Sequence, residues 1–151
     1  MSLRLVDSVE YRMAGTFFEK GVPRPSVVHF EALIKVGQPL GSFSGAMLDR
    51  YGPSRINGHL TADIRQDFLE FRKTYDRKPP LGNKAATKSP VRVLVTFSDS
   101  GGWQGQWYID STESGRGREG FITLAIVPWS GQRVFPLHPD LTDYLAAIQR
   151  V

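Results

Sequence analysis

Apolar residues recur at every second position through most of this chain, the spacing of strands with one buried face. Residues 91–127 carry the pattern most clearly. Val91, Val93, Val95 and Phe97 share one face of a first run, and Trp103, Gly105, Trp107 and Ile109 share one face of a second. A third run, 121–127, is apolar on both faces, which predicts a strand covered on both sides. Reversals at 98–102 and 110–119 make the three runs a meander. Gly101 and Gly102 in the first, and Gly115 and Gly117 in the second, supply residues that take positive φ without a Cβ clash.

Five further strands precede it. Residues 9–18 form the first, with Gly15 as a bulge or close-approach point. Residues 26–36 set Val28, Phe30, Ala32, Ile34 and Val36 on one face; 42–48 set Phe43, Gly45 and Met47 on one side; 54–62 align Ile56, Gly58, Leu60 and Ala62. Residues 67–75 align Leu69, Phe71, Lys73 and Tyr75. A short amphipathic helix competes there through Phe68, Phe71 and Tyr75, but the aromatics and the turn-to-turn spacing favour a strand. Segments 19–25, 37–41 and Asp49-Arg50-Tyr51-Gly52-Pro53 are turns. Segment 76–90 exceeds the usual connection length and reads as a functional lid or a mobile loop. The period then changes. Leu141, Tyr144, Leu145 and Ile148 make one helical stripe, and Pro139, Asp140 and Asp143 suit a first turn, so a helix is expected over 139–149.

Eight strands joined mostly by short reversals, then one helix, predict a mainly β fold: a single domain over 1–151, built as an eight-stranded antiparallel up-and-down β-barrel with a short C-terminal α-helix. Closure removes the edges an open sheet would expose. Gly45, Gly58 and Gly105 fit strands that bend tightly around a small barrel.

Composition narrows the function classes. Hydrophobic and charged contents of 40% and 23% are those of a soluble globular protein. With no cysteine, disulfides, thiolate metal sites and cysteine nucleophiles all drop out. The net charge is +4, of which +3 sits in 76–90 (Arg77, Lys78, Lys84 and Lys88 against Asp76), so the body lacks the basic face a nucleic-acid surface needs. No apolar run approaches the roughly 20 residues of a membrane span. Arg4, Asp7, Glu10 and Arg12 interrupt any signal-peptide core, so a cytoplasmic location is expected.

Two stretches carry a family resemblance. Gly41 to Gly45 (GSFSG) followed by Ile56-Asn57-Gly58-His59-Leu60 is similar to the glycine-rich hairpin of avidin-like barrels. Trp103-Gln104-Gly105-Gln106-Trp107-Tyr108-Ile109-Asp110, between two apolar strands, resembles the middle of the avidin-like meander. Together they cover about half of the chain and resemble the calycin superfamily, the lipocalin-like and avidin-like barrels. The resemblance implies the barrel architecture alone and carries no ligand with it. It does not imply biotin, because the positions matching the avidin-like tryptophan walls are near Val95 and Leu124. The lipocalin Gly-x-Trp start is also replaced, by Gly15-Thr16-Phe17.

The first functional expectation, motivated by an aromatic concentration beyond what a core of this size needs, is a non-enzymatic barrel binding a small, largely apolar ligand at one mouth. Trp103, Trp107, Phe97, Phe71 and Tyr75 would wall the site. Asn57, His59 and Arg72 are the polar candidates, although alternation assigns them to the opposite face. The competing expectation is that these aromatics fill the barrel, since eight strands leave just enough room for side chains. His29, His59 and His138 are isolated, with no metal-ligand spacing, and no motif calls for a cofactor. Gly115-Arg116-Gly117-Arg118 reads as a hairpin tip rather than a phosphate cradle, because a strand follows it. A second expectation is a small-substrate hydrolase or isomerase, which requires titrating groups converging inside the barrel, such as His59 with Asp49, Glu70 or Asp110. A third is a structural homo-oligomer packed through an outer face of Leu94, Ile122, Leu124 and Ile126.

Overall fold

Antiparallel pairing runs strictly in chain order and returns to its start. In the computed structural model, which describes residues 10–37, 41–61, 67–98, 102–110, 117–129 and 138–149, eight strands close a barrel: β1 (Glu10–Glu19), β2 (Val28–Val36), β3 (Ser42–Asp49), β4 (Gly52–Thr61), β5 (Phe68–Tyr75), β6 (Val91–Phe97), β7 (Trp103–Ile109) and β8 (Arg118–Pro128). The seam is β1 against β8, with Met13 opposite Ile126 and Phe17 opposite Ile122. The predicted residues Val9, Ala62, Gly115 and Arg116 lie outside the described residues.

Alternation explains the packing. Val28, Phe30, Ala32, Ile34 and Val36 of β2, Leu69, Phe71, Lys73 and Tyr75 of β5, and Val91, Val93 and Val95 of β6 are all buried in the barrel. The expected glycine positions are sites of close approach. A Cβ on Gly45 would lie 2.0 Å from the Leu33 carbonyl oxygen, and one on Gly105 would lie 2.0 Å from that of Leu94.

Two expectations about β8 are corrected. Ile122, Leu124 and Ile126 point inward and are buried, so of the outer face proposed for self-association only Leu94 is exposed. Nor is β8 covered on both sides: Phe121 is 39% exposed and Val127 53% exposed. The strand also begins earlier than its apolar run, because Arg118, Glu119 and Gly120 pair with Ile109, Tyr108 and Trp107.

The helix α1 (Pro139–Gln149) lies outside the barrel against β3. Leu141 and Tyr144 bury themselves on Ala46, with Leu48, Leu145 and Ile148 around them. Ala46 faces outward on β3, and its single methyl lets the helix approach. His138 begins the helix, accepting from the Asp140 amide on Nδ1 (3.1 Å) and from the Thr142 amide on its carbonyl (3.1 Å).

Segment 76–90 is tied down by its own polar groups. Arg77 donates through Nε to the Ala86 carbonyl (2.9 Å) and through Nη2 to that of Lys84 (2.6 Å). Asn83 donates from its side chain to the Tyr51 carbonyl (2.9 Å), pinning the segment to the β3–β4 turn. The Pro79-Pro80 bond is cis.

Candidate functional site

Among the described residues, one end of the barrel is packed with side chains and the other is hollow. At the filled end Trp103 is 2% exposed, sits 5.1 Å edge-to-face from Phe97, and packs in the same core as Met13, Leu69, Val95 and Leu124. At the other end, where β1, β3, β5 and β7 finish, a cavity of about 320 Å³ opens.

Its walls are aromatic and aliphatic: Phe17, Phe30, Phe71, Trp107, Val93 and Ile122. Phe17 anchors the aromatic group, 6.2 Å from Phe30 and 6.0 Å edge-to-face from Trp107. Trp107 is fixed at both of its polar and apolar ends. Its Nε1 donates to the Phe18 carbonyl (3.1 Å), two strands away, by crossing β8 at Gly120. A Cβ on Gly120 would come 2.5 Å from that nitrogen. Ala85, Ala86 and Thr87 of segment 76–90 help line the cavity, as do Val22, Arg24, Pro25 and Ser26 of the β1–β2 connection. Ala86 is buried in the main core, so the long segment forms part of the cavity's enclosure.

Lys73 and Tyr75 line this wall and share the buried carboxylate of Asp49, which is not itself a lining residue. Lys73 on β5 is 4% exposed and forms an ion pair and hydrogen bond with Asp49 Oδ2 on β3. Tyr75 donates its hydroxyl to the same oxygen at 2.6 Å. The other oxygen, Oδ1, accepts the Tyr51 amide at 2.8 Å and closes the β3–β4 turn. Between β3 and β5, strand β4 presents Gly52 and Ser54, small residues over which the longer side chains meet. The Lys73 Nζ also sits 4.9 Å from the Phe17 ring centre and 4.4 Å from that of Tyr75. Burial lowers the Lys73 pKa from the ordinary lysine value, with the Asp49 charge and hydrogen bond pulling the other way. Burial, reinforced by Asp49, holds the Tyr75 hydroxyl well above the ordinary tyrosine range. Arg118, Arg50 and Arg24 also line the cavity; Arg118 pairs with Glu19, and Arg50 stacks on Tyr51 at 5.2 Å.

The residues singled out from the sequence therefore divide. Phe71, Tyr75 and Trp107 meet at the cavity, while Trp103 and Phe97 pack the filled end. Asn57, His59 and Arg72 face outward on β4 and β5. His59 does meet an acid, with Nε2 2.6 Å from Glu70 Oε1, but that pair is exposed on the outer surface. His29 is exposed on β2, and His138 starts the helix. The titrating groups that converge inside are Lys73, Asp49 and Tyr75. Lys73 already stood on the inward face in the alternation of β5, and Asp49 continues the Phe43, Gly45, Met47 face of β3. Their meeting depends on strand register. Among the described residues, no group of three or more His, Asp or Glu side chains could hold a metal ion, and no helix is long and apolar enough to cross a membrane.

No protein family, curated protein or solved structure matches the chain.

Proposed function

We propose that this chain is a calycin-like barrel that binds a small, largely apolar molecule in the cavity at its Trp107 end. The observation that carries this reading is the open-mouthed cavity of about 320 Å³ beside Phe17, Phe30, Phe71 and Trp107. That volume stands at the lower end of small-molecule pockets, roughly 300–1,000 Å³. The aromatic walls would stabilise an apolar body by removing it from water, at about 25 cal/mol per Å² of surface buried. The arginines and Lys73 at the cavity suit a polar end on that molecule.

Titration with straight-chain alcohols of increasing length, followed by intrinsic tryptophan fluorescence, tests this reading. Saturable change is expected, lost in Trp107→Phe and retained in Trp103→Phe. Fluorescence that is unmoved by every alcohol would reject it.

A further inference from the structure

Lys73, Asp49 and Tyr75 form a chemical group that an apolar pocket does not need. Burying an ion pair in a barrel wall costs desolvation on both partners, and well-packed apolar residues would serve stability as well or better. The other five lysines of the chain are exposed; Lys73 alone is buried, at the edge of the cavity. Its amine lies 4.9 Å from the Phe17 ring centre and 4.4 Å from that of Tyr75, and pairs with the Asp49 carboxylate.

We infer that the cavity takes aldehydes and that Lys73 captures them as an imine, with Asp49 as proton carrier and counter-ion and Tyr75 holding the carboxylate in place. The inference rests on the cavity being a binding site. In the resting pair the ammonium of Lys73 donates to Asp49. Passing that proton to the carboxylate leaves a free amine beside a carboxylic acid. The amine nitrogen then adds to the carbonyl carbon, forming the C–N bond, and a proton moves from nitrogen to the former carbonyl oxygen, giving a carbinolamine. Asp49 returns its proton to the carbinolamine hydroxyl, the C–O bond breaks and water leaves. The product is an N-protonated imine beside an ionised Asp49. One positive and one negative charge are present before and after, so the buried counter-ion that holds the ammonium also holds the product. No oxidant or reductant takes part.

The lowered basicity of Lys73 supports this order of events, because burial favours the neutral amine that attacks. Tyr75 fixes Oδ2 from a second direction at 2.6 Å, and the Tyr51 amide fixes Oδ1 at 2.8 Å, so the carboxylate is oriented before a ligand arrives.

Octanal with sodium cyanoborohydride, which reduces the imine to a stable secondary amine, followed by peptide mapping, tests the inference on the intact chain. Lys73 should gain one octyl group roughly tenfold or more ahead of any exposed lysine, the advantage expected for a carbonyl held beside the amine. Excess octanol should protect it, and Asp49→Asn, which keeps a hydrogen-bond acceptor but not the charge, should slow labelling. Labelling of Lys73 no faster than that of Lys20, Lys35, Lys78, Lys84 or Lys88, while octanol still perturbs Trp107, would overturn the imine and leave the pocket standing. If neither octanal nor octanol perturbs Trp107, the pocket itself is overturned, and the inference with it.

Discussion

The indole of Trp107 lies across Gly120, its register partner on β8, and reaches the Phe18 carbonyl on β1 at 3.1 Å. The absence of a side chain at Gly120 is what lets a tryptophan wall a cavity rather than fill it. Gly120→Ala should therefore cost stability by about 1–3 kcal/mol, as overpacking does, and should also break the Trp107 hydrogen bond. Chemical denaturation would measure the first effect, and a blue or red shift of the tryptophan emission the second. A variant with unchanged stability and emission would show that the close approach is not a constraint.

The buried pair predicts an asymmetry. Asp49→Ala leaves Lys73 without its carboxylate and opens the β3–β4 turn, so it should cost about 3–5 kcal/mol. Lys73→Met should cost much less, because Asp49 keeps hydrogen bonds from Tyr75 and Tyr51. The double variant should cost less than the sum of the singles, and a denaturation cycle over the four proteins measures the coupling.

Stability should vary with pH in two opposed ways. Lys73 has a lowered pKa in the folded chain, so between that value and the ordinary 10.5 the unfolded chain binds the extra proton and stability rises with pH. Tyr75 has a raised one, so above the ordinary 10.0 the unfolded chain loses a proton that the folded chain keeps and stability falls with pH. Lys73→Met should flatten the rise, and Tyr75→Phe should flatten the alkaline fall. Denaturation midpoints across this range would check both.

The strands were legible because the barrel has one inside and one outside. Period-two alternation in 28–36, 69–75 and 91–95 named the buried face residue by residue. It failed on 121–127, where apolar residues occupy both faces and only pairing with β1 and β7 decides which set is inside. The same alternation correctly set Asn57, His59 and Arg72 apart from the interior. It also carried Lys73 inward, although a lysine ordinarily indicates a solvated face. Asp49 opens the turn expected over 49–53 and caps it through Oδ1; its second oxygen serves Lys73 and Tyr75, 24 and 26 residues away. That distance closes only when β3, β4 and β5 are in register. Trp103 and Trp107 were indistinguishable in sequence because both face inward; which end of the barrel is hollow is a property of all eight strands together.

The helix is expected to stabilise without shaping the site. Leu141→Ala would remove a fully buried side chain from the contact with Ala46 and should cost about 2–5 kcal/mol. No α1 residue lines the cavity, so the alcohol titration should be unchanged in this variant at temperatures where it stays folded.

The central claim, a binding cavity at the Trp107 end of an otherwise filled barrel, is tested most directly by the tryptophan side-chain N–H signals in a proton–nitrogen NMR spectrum, assigned through Trp103→Phe and Trp107→Phe, as octanol is added. The account predicts a saturable shift of the Trp107 signal with the Trp103 signal nearly still. A Trp107 signal that never moves, or one that moves no more than that of Trp103, would contradict it.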